Sequence, residues 1–177
     1  CLGWESQPIT PYQQCSGGAG ASYTWFGCVG SRMPGSTRLN DQSPGVAYPG
    51  YLSTWQQCPT PVTRLTNDKI ALAAAISAMA PNIGGYKPYT YIPAGLIWGQ
   101  NVLSQTAPFT DGKAYDSNNI APRKVVVLMT DGDNTLQFRS GDGRHVGFDG
   151  GQEAAQRSQT DNDTQAICNY MATNKVE

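Results

Sequence analysis

One segment constrains the fold more than any other: Arg123-Lys124-Val125-Val126-Val127-Leu128-Met129-Thr130-Asp131-Gly132, a basic start, five apolar residues in a row, then Thr-Asp-Gly. A strand with one wet face alternates apolar and polar residues. A Val-rich run that does not alternate reads as a strand covered on both faces, the mark of a central parallel strand between helices. Asp131 then stands at the carboxyl end of that strand, the edge of an open α/β sheet where ligands bind.

The segments around it have helical spacing. Thr66 or Asn67 can cap a helix whose first turn holds Asp68 and whose apolar residues Leu72, Ile76 and Met79 recur at i, i+4 and i+7. Pro81 and Gly84-Gly85 stop it. A second helix starts near Pro93, with Leu96, Gly99 and Leu103 on one face and Ile97, Trp98 and Val102 on another, so it is expected to be well buried. After a polar, Gly-rich loop over 131–151, a third helix is firmest from Thr160 or Asp161 to Asn174, with Ile167, Tyr170 and Met171 aligned. Helix, helix, buried strand and helix predict an α/β fold, a doubly wound, mostly parallel sheet flanked by helices.

Residues 1–64 differ. They carry only five charged side chains, and turn signals fall at Ser16-Gly17-Gly18, Pro34-Gly35, Pro44-Gly45 and Pro49-Gly50. Residues 21–29, with Tyr23, Trp25 and Phe26, are the one stretch there that reads as a strand. Four of the five cysteines, Cys1, Cys15, Cys28 and Cys58, lie in this part. No C-x2-C pair exists and the single histidine, His145, is remote, so disulfides are expected in preference to zinc; three pairings remain open. Cys168 is left over as a small apolar residue on a helix. The expected organisation is one domain over 1–177, a loop-rich, disulfide-bearing insertion at 1–64 and an α/β core part at 65–177.

Composition excludes some partners. With 12 Lys+Arg against 13 Asp+Glu and only 14% charged residues, no broad field attracts nucleic acid or an anionic membrane. No apolar run reaches the ~18 residues of a membrane span. A chain that begins at Cys1, with no initial Met and no leader, and ends at Glu177 reads as a piece of a longer one, whose membrane anchor is expected outside it. Disulfides imply an extracytoplasmic setting, the periplasm or the cell surface.

Val-Val-Val-Leu-Met-Thr-Asp-Gly-Asp-Asn-Thr (125–135) resembles the fourth-strand signature of von Willebrand factor type A (vWA) domains. Thr-Tyr-Ile-Pro-Ala-Gly-Leu-Ile-Trp-Gly (90–99) resembles their Thr-containing loop and the helix after it. That form, with Leu103-Ser104, Pro108-Phe109 and Trp25-Phe-Gly-Cys-Val-Gly-Ser-Arg32, is similar to the vWA regions of TadG-like pilus-assembly proteins. The resemblance implies a Rossmann-like vWA fold and a metal-ion-dependent adhesion site built from three loops. Carried over by position, Thr90 is the second-loop hydroxyl and Asp131 the third-loop carboxylate, oxygen ligands of the kind Mg2+ or another divalent cation takes. The first-loop Asp-x-Ser-x-Ser does not occur: Asp41-Gln-Ser43-Pro44-Gly45 follows no apolar strand, so this chain is expected to be a partial domain with an incomplete site.

The resemblance implies a protein-binding or scaffold module of a pilus-assembly or cell-envelope system, with a protein partner and no enzymatic activity. Two other functions stand beside it. One is an extracytoplasmic hydrolase using His145, for which no Gly-x-Ser-x-Gly elbow marks a nucleophile. The other is a structural module that binds through the disulfide-bearing insertion.

Overall fold

The computed structural model describes residues 12–13, 22–33, 35–42, 48–56, 58, 60–82, 85, 87–130 and 132–177. In the N-terminal third, β1 (Tyr12–Gln13), β2 (Ser22–Val29) and β3 (Gly50–Ser53) form an antiparallel sheet with β2 in the middle. The aromatic and β-branched residues of β2 favour the pleated form. Its register against β3 shifts between Trp25 and Val29, where Gly27 takes a φ of +94° that few other residues adopt. A disulfide joins Cys28 at the end of β2 to Cys58, with Cα atoms 5.5 Å apart. Two of the four candidate cysteines are thereby paired; Cys1 and Cys15 lie outside the described residues. A 3-10 turn, Gly35–Leu39, follows β2.

Helix α1 (Lys69–Ser77) starts as its sequence requires, one residue later than expected: Asp68 is the cap, its Oδ1 accepting from the N–H groups of Ile70 at 2.9 Å and Ala71 at 3.0 Å. None of its residues is buried, and Ile70 is 84% exposed. Helix α2 (Ile92–Leu103) and helix α3 (Glu153–Thr173) make the core, Leu96 and Ile97 meeting Ile167, Met171 and Val176. Leu39, Ile92, Trp98, Leu103, Tyr115, Val126 and the free Cys168 pack around them. Helix α3 begins at Glu153, before its apolar stripe, where Glu153 and Arg157 pair at i, i+4. The polar 131–151 segment holds a hairpin, β4 (Leu136–Phe138) with β5 (His145–Gly147).

The expected doubly wound, mostly parallel vWA or Rossmann-like sheet is not formed. The strands of the described residues pair antiparallel in two small sheets, and 125–129 is not among them. A sandwiched inner strand needs strand neighbours on its two edges and layers on both faces. Here α2 covers one face, Val126 Cγ1 lying 3.9 Å from where a Cβ on Gly99 would stand. The other face is open, with Val127 78% and Met129 88% exposed. The apolar run therefore meets half of the burial its pattern implies.

Glycines at two places give opposite expectations. Gly143, φ +76° in the β4–β5 hairpin, would place a Cβ 2.4 Å from the carbonyl oxygen of Ser31. Gly95 sits in α2 with open space around it. Thermal unfolding should show Gly95→Ala stabilising by about 0.5–1 kcal/mol. Gly143→Ala should destabilise by about 1 kcal/mol or more, through the left-handed backbone and the clash.

Candidate functional site

Thr90 lies just before α2, and residues 132–135 lie just before β4. Backbone groups join these two loops directly. Thr90 N–H donates to Thr135 Oγ1 at 2.7 Å, and Thr90 C=O accepts from the N–H groups of Thr135 at 2.9 Å and Leu136 at 3.1 Å. Asn134, fully buried, ties the same place to both core helices. Its Oδ1 accepts from Ile92 N–H at 2.8 Å, and its Nδ2 donates to Asp161 Oδ1 on α3 at 2.8 Å. The first turn of α2 is thus capped by a side chain from 42 residues further along, while Tyr91 at the cap position makes no side-chain cap bond. Thr90 does not act as the cap.

The Thr90 loop and the segment that follows residue 131 therefore meet, while Asp131 itself lies outside the described residues. The neighbouring acids are already committed. Asp161 accepts from Asn134, and the carboxylate of Asp133 is 3.8 Å from Arg157. The Arg157 guanidinium also donates to Asn134 C=O and to Glu153 Oε1, the latter at 2.6 Å. Among the described residues no group of three or more His, Cys, Asp or Glu gathers to hold a metal ion. Beside this loop Arg157 supplies positive charge, in contact with Asn134, Glu153 and Asp133.

A second cluster was not legible in the sequence. Ser31, just after β2, places its Oγ 2.9 Å from Nε2 of His145 on β5, and Tyr91 stacks on the imidazole with ring centroids 4.1 Å apart. The Ser31 N–H bond to Gly143 C=O at 2.9 Å fixes the approach. A serine and a histidine at this distance form the first two members of a hydrolytic triad. The third is missing: among the described residues no carboxylate bonds the other ring nitrogen. Burial, with the nearby Arg38 charge, holds the His145 pKa down to about 4, and Ser31 is 6% exposed. An imidazole that resists protonation is a weak general base, and as it stands the pair is a part-buried side-chain hydrogen bond.

The third cluster surrounds Asp41. Tyr115 and Tyr170 hydroxyls donate to its carboxylate, the latter at 2.6 Å, and Thr106 Oγ1 donates to its C=O. Burial alone would raise the Asp41 pKa, but the hydroxyls of Ser104, Tyr115 and Tyr170 outweigh it and the carboxyl is held below its usual range. Beside it, buried Lys124 donates to the carbonyls of Leu103 at 2.7 Å and Lys113 at 2.6 Å, over the Tyr115 ring. Burial pushes the Lys124 pKa down. Its ammonium sits at the C-terminal end of α2, where a helix favours positive charge.

Asn134→Ala should cost about 1–2 kcal/mol in chemical denaturation, by leaving Ile92 N–H and Asp161 without their partner. His145 gives a pH signature. Its folded pKa is depressed from 6.5 to about 4, so its contribution is complete above pH 6.5 and is lost as pH falls towards 4. Denaturation curves should show a loss of roughly 3 kcal/mol across that window, absent in His145→Phe. Compared with protein families, with curated proteins and with solved structures, the chain gives no match.

Proposed function

We propose that this chain is a protein-binding module of the cell envelope, not an enzyme, and that it docks its partner through the exposed 125–129 stretch. The observation that carries the reading is an apolar segment left open to solvent, with Val127 and Met129 mostly exposed. Among the described residues, the backbone groups of Val125, Val127, Leu128 and Met129 make no hydrogen bond. Open strand-like edges and contiguous apolar surface mark interaction sites. The Cys28–Cys58 disulfide supports an oxidising, extracytoplasmic setting. The likeness of 90–99 and 125–135 to the vWA regions of TadG-like proteins supports a role in pilus assembly or a related envelope system. Docking of this kind needs no metal ion.

The alternative hydrolase has the Ser31–His145 pair in its favour and the missing acid, the depressed pKa and the buried hydroxyl against it. Turnover of ester, peptide or phosphate substrates that His145→Ala abolishes would establish that reading in place of ours.

A photo-crosslinking residue at position 127, with exposed Gln105 as the control position, tests the docking surface in cell-envelope extract. Adducts are expected at position 127, to be unchanged by EDTA, and to be lost in Met129→Lys. Equal adduct formation at the two positions would remove the proposal.

A further inference from the structure

The Cys28–Cys58 disulfide closes a ring of chain, its cysteines 30 positions apart. What the ring contributes differs from what lies outside it. The buried core residues Leu96, Ile97, Ile167, Met171 and Val176 all lie outside, and of the side chains packed around them only Leu39 belongs to the ring, among the described residues. The ring is seated by separate ties instead. Ser31 N–H donates to Gly143 C=O and Ser31 Oγ meets His145 Nε2, each at 2.9 Å. Arg38 pairs with Asp163, and the Asp41 carboxylate accepts from Tyr115 and Tyr170. The Tyr48 hydroxyl accepts from Asn101 Nδ2 at 2.7 Å, and its ring lies 4.7 Å from that of Trp98. Water can take the partner's place in each hydrogen-bonded tie, so the net gain per tie is small.

We propose that this disulfide is a redox-operated latch: opening it shifts residues 31–51 towards release from α2, α3 and the β4–β5 hairpin, while α2 and α3 stay packed on each other. The division of contacts is the first argument, since none of the buried core side chains comes from the ring. The second is chain freedom. The β2–β3 ladder closes the same stretch, Val29 opposite Gly50, but by hydrogen bonds that are lost when the stretch lets go. The disulfide is the covalent closure. While it holds, a segment that lets go stays pinned at both ends and gains little disorder. Once it opens, the released state gains that disorder, and its population rises at least about thirtyfold, the usual contribution of a disulfide expressed as a ratio. The docking reading of 125–129 is not needed for this.

The latch turns on thiol–disulfide exchange with a dithiol. Both cysteines are half-buried, and Trp55 and Gln56 close to Cys58 are exposed, so the bond is within reach of a small dithiol. One thiolate of the dithiol attacks a sulfur of the bond, which forms a mixed disulfide and releases the other cysteine. The second thiol then displaces the cysteine that remains. Two protein thiols result and the dithiol leaves as its own disulfide, two electrons and two protons having passed to the protein. Run in reverse, an oxidised dithiol closes the latch, the direction favoured in an oxidising envelope setting.

Amide hydrogen exchange of the 177-residue protein, read by NMR with the bond formed and after reduction by dithiothreitol, tests the latch. The Ser31 amide, bonded across to Gly143, reports the ring, and the helical amides of Ile167 and Met171 report the core. On reduction the protection of Ser31 should fall at least about thirtyfold and end below that of Ile167 and Met171 in the same sample, so that the two openings are separate events. Circular dichroism should show the helices retained. The double variant Cys28→Ala with Cys58→Ala should match the reduced protein. Dithiothreitol should change nothing further in that variant, which sets this bond apart from Cys1 and Cys15. Unchanged protection at Ser31 overturns the proposal. So does a common loss at all three amides, which would mean that ring and core open as one unit, and so does a loosening under dithiothreitol that the double variant fails to reproduce.

Discussion

The packing of α2 on α3 is the constraint on which the rest of this molecule depends. Leu96 and Ile97 from one helix and Ile167 and Met171 from the other are almost completely buried, and Val176 closes the end. Each such side chain contributes on the order of 1.5–3 kcal/mol when taken out of water. Among the described residues the set is small. Around it, β4 and the 3-10 turn pack on these helices through polar side chains, while the segment after β2 is joined to the hairpin by Ser31.

Those contacts are specific because they are buried. Asp41 receives hydroxyls from the 104–115 region and from α3, while Asn134 spans the start of α2 and the middle of α3. Arg38 joins the 3-10 turn to Asp163 and lies over the Phe138 ring, 4.3 Å from its centre. A buried polar group without a partner is expensive, so each of these residues admits few alternative positions for the segments it joins. The polar network supplies the uniqueness that so few apolar side chains cannot.

What the sequence made legible follows the same division. The apolar stripes of α2 and α3 were readable because helical periodicity reports burial directly, and both helices form the core. The start of α3 was missed because Glu153 to Arg157 carries no apolar repeat and relies on an ion pair. Helix α1 was found by its spacing, yet its apolar residues stay in solvent, since spacing reports a capacity for burial and not the surface that provides it. The same reason undid the central strand: an unalternating run calls for cover on two sides, and only α2 is there. At the candidate site, the Thr90 loop meets the segment after residue 131, while Asp131, the other residue singled out, lies outside the described residues. The Asn134 cap, the Ser31–His145 bond and the Asp41 cluster join residues 42 to 129 positions apart, for which a single sequence has no local signal.

Lys124 sets how the open stretch behaves. Its ammonium is locked under the last carbonyls of α2, and the next side chain but one rests on the same helix at Gly99. The 125–129 segment is therefore tethered at its beginning, and part of its conformational freedom is already gone before anything touches it. An incoming strand has less disorder to remove at that end, so contact should nucleate near Val125 and propagate towards Met129.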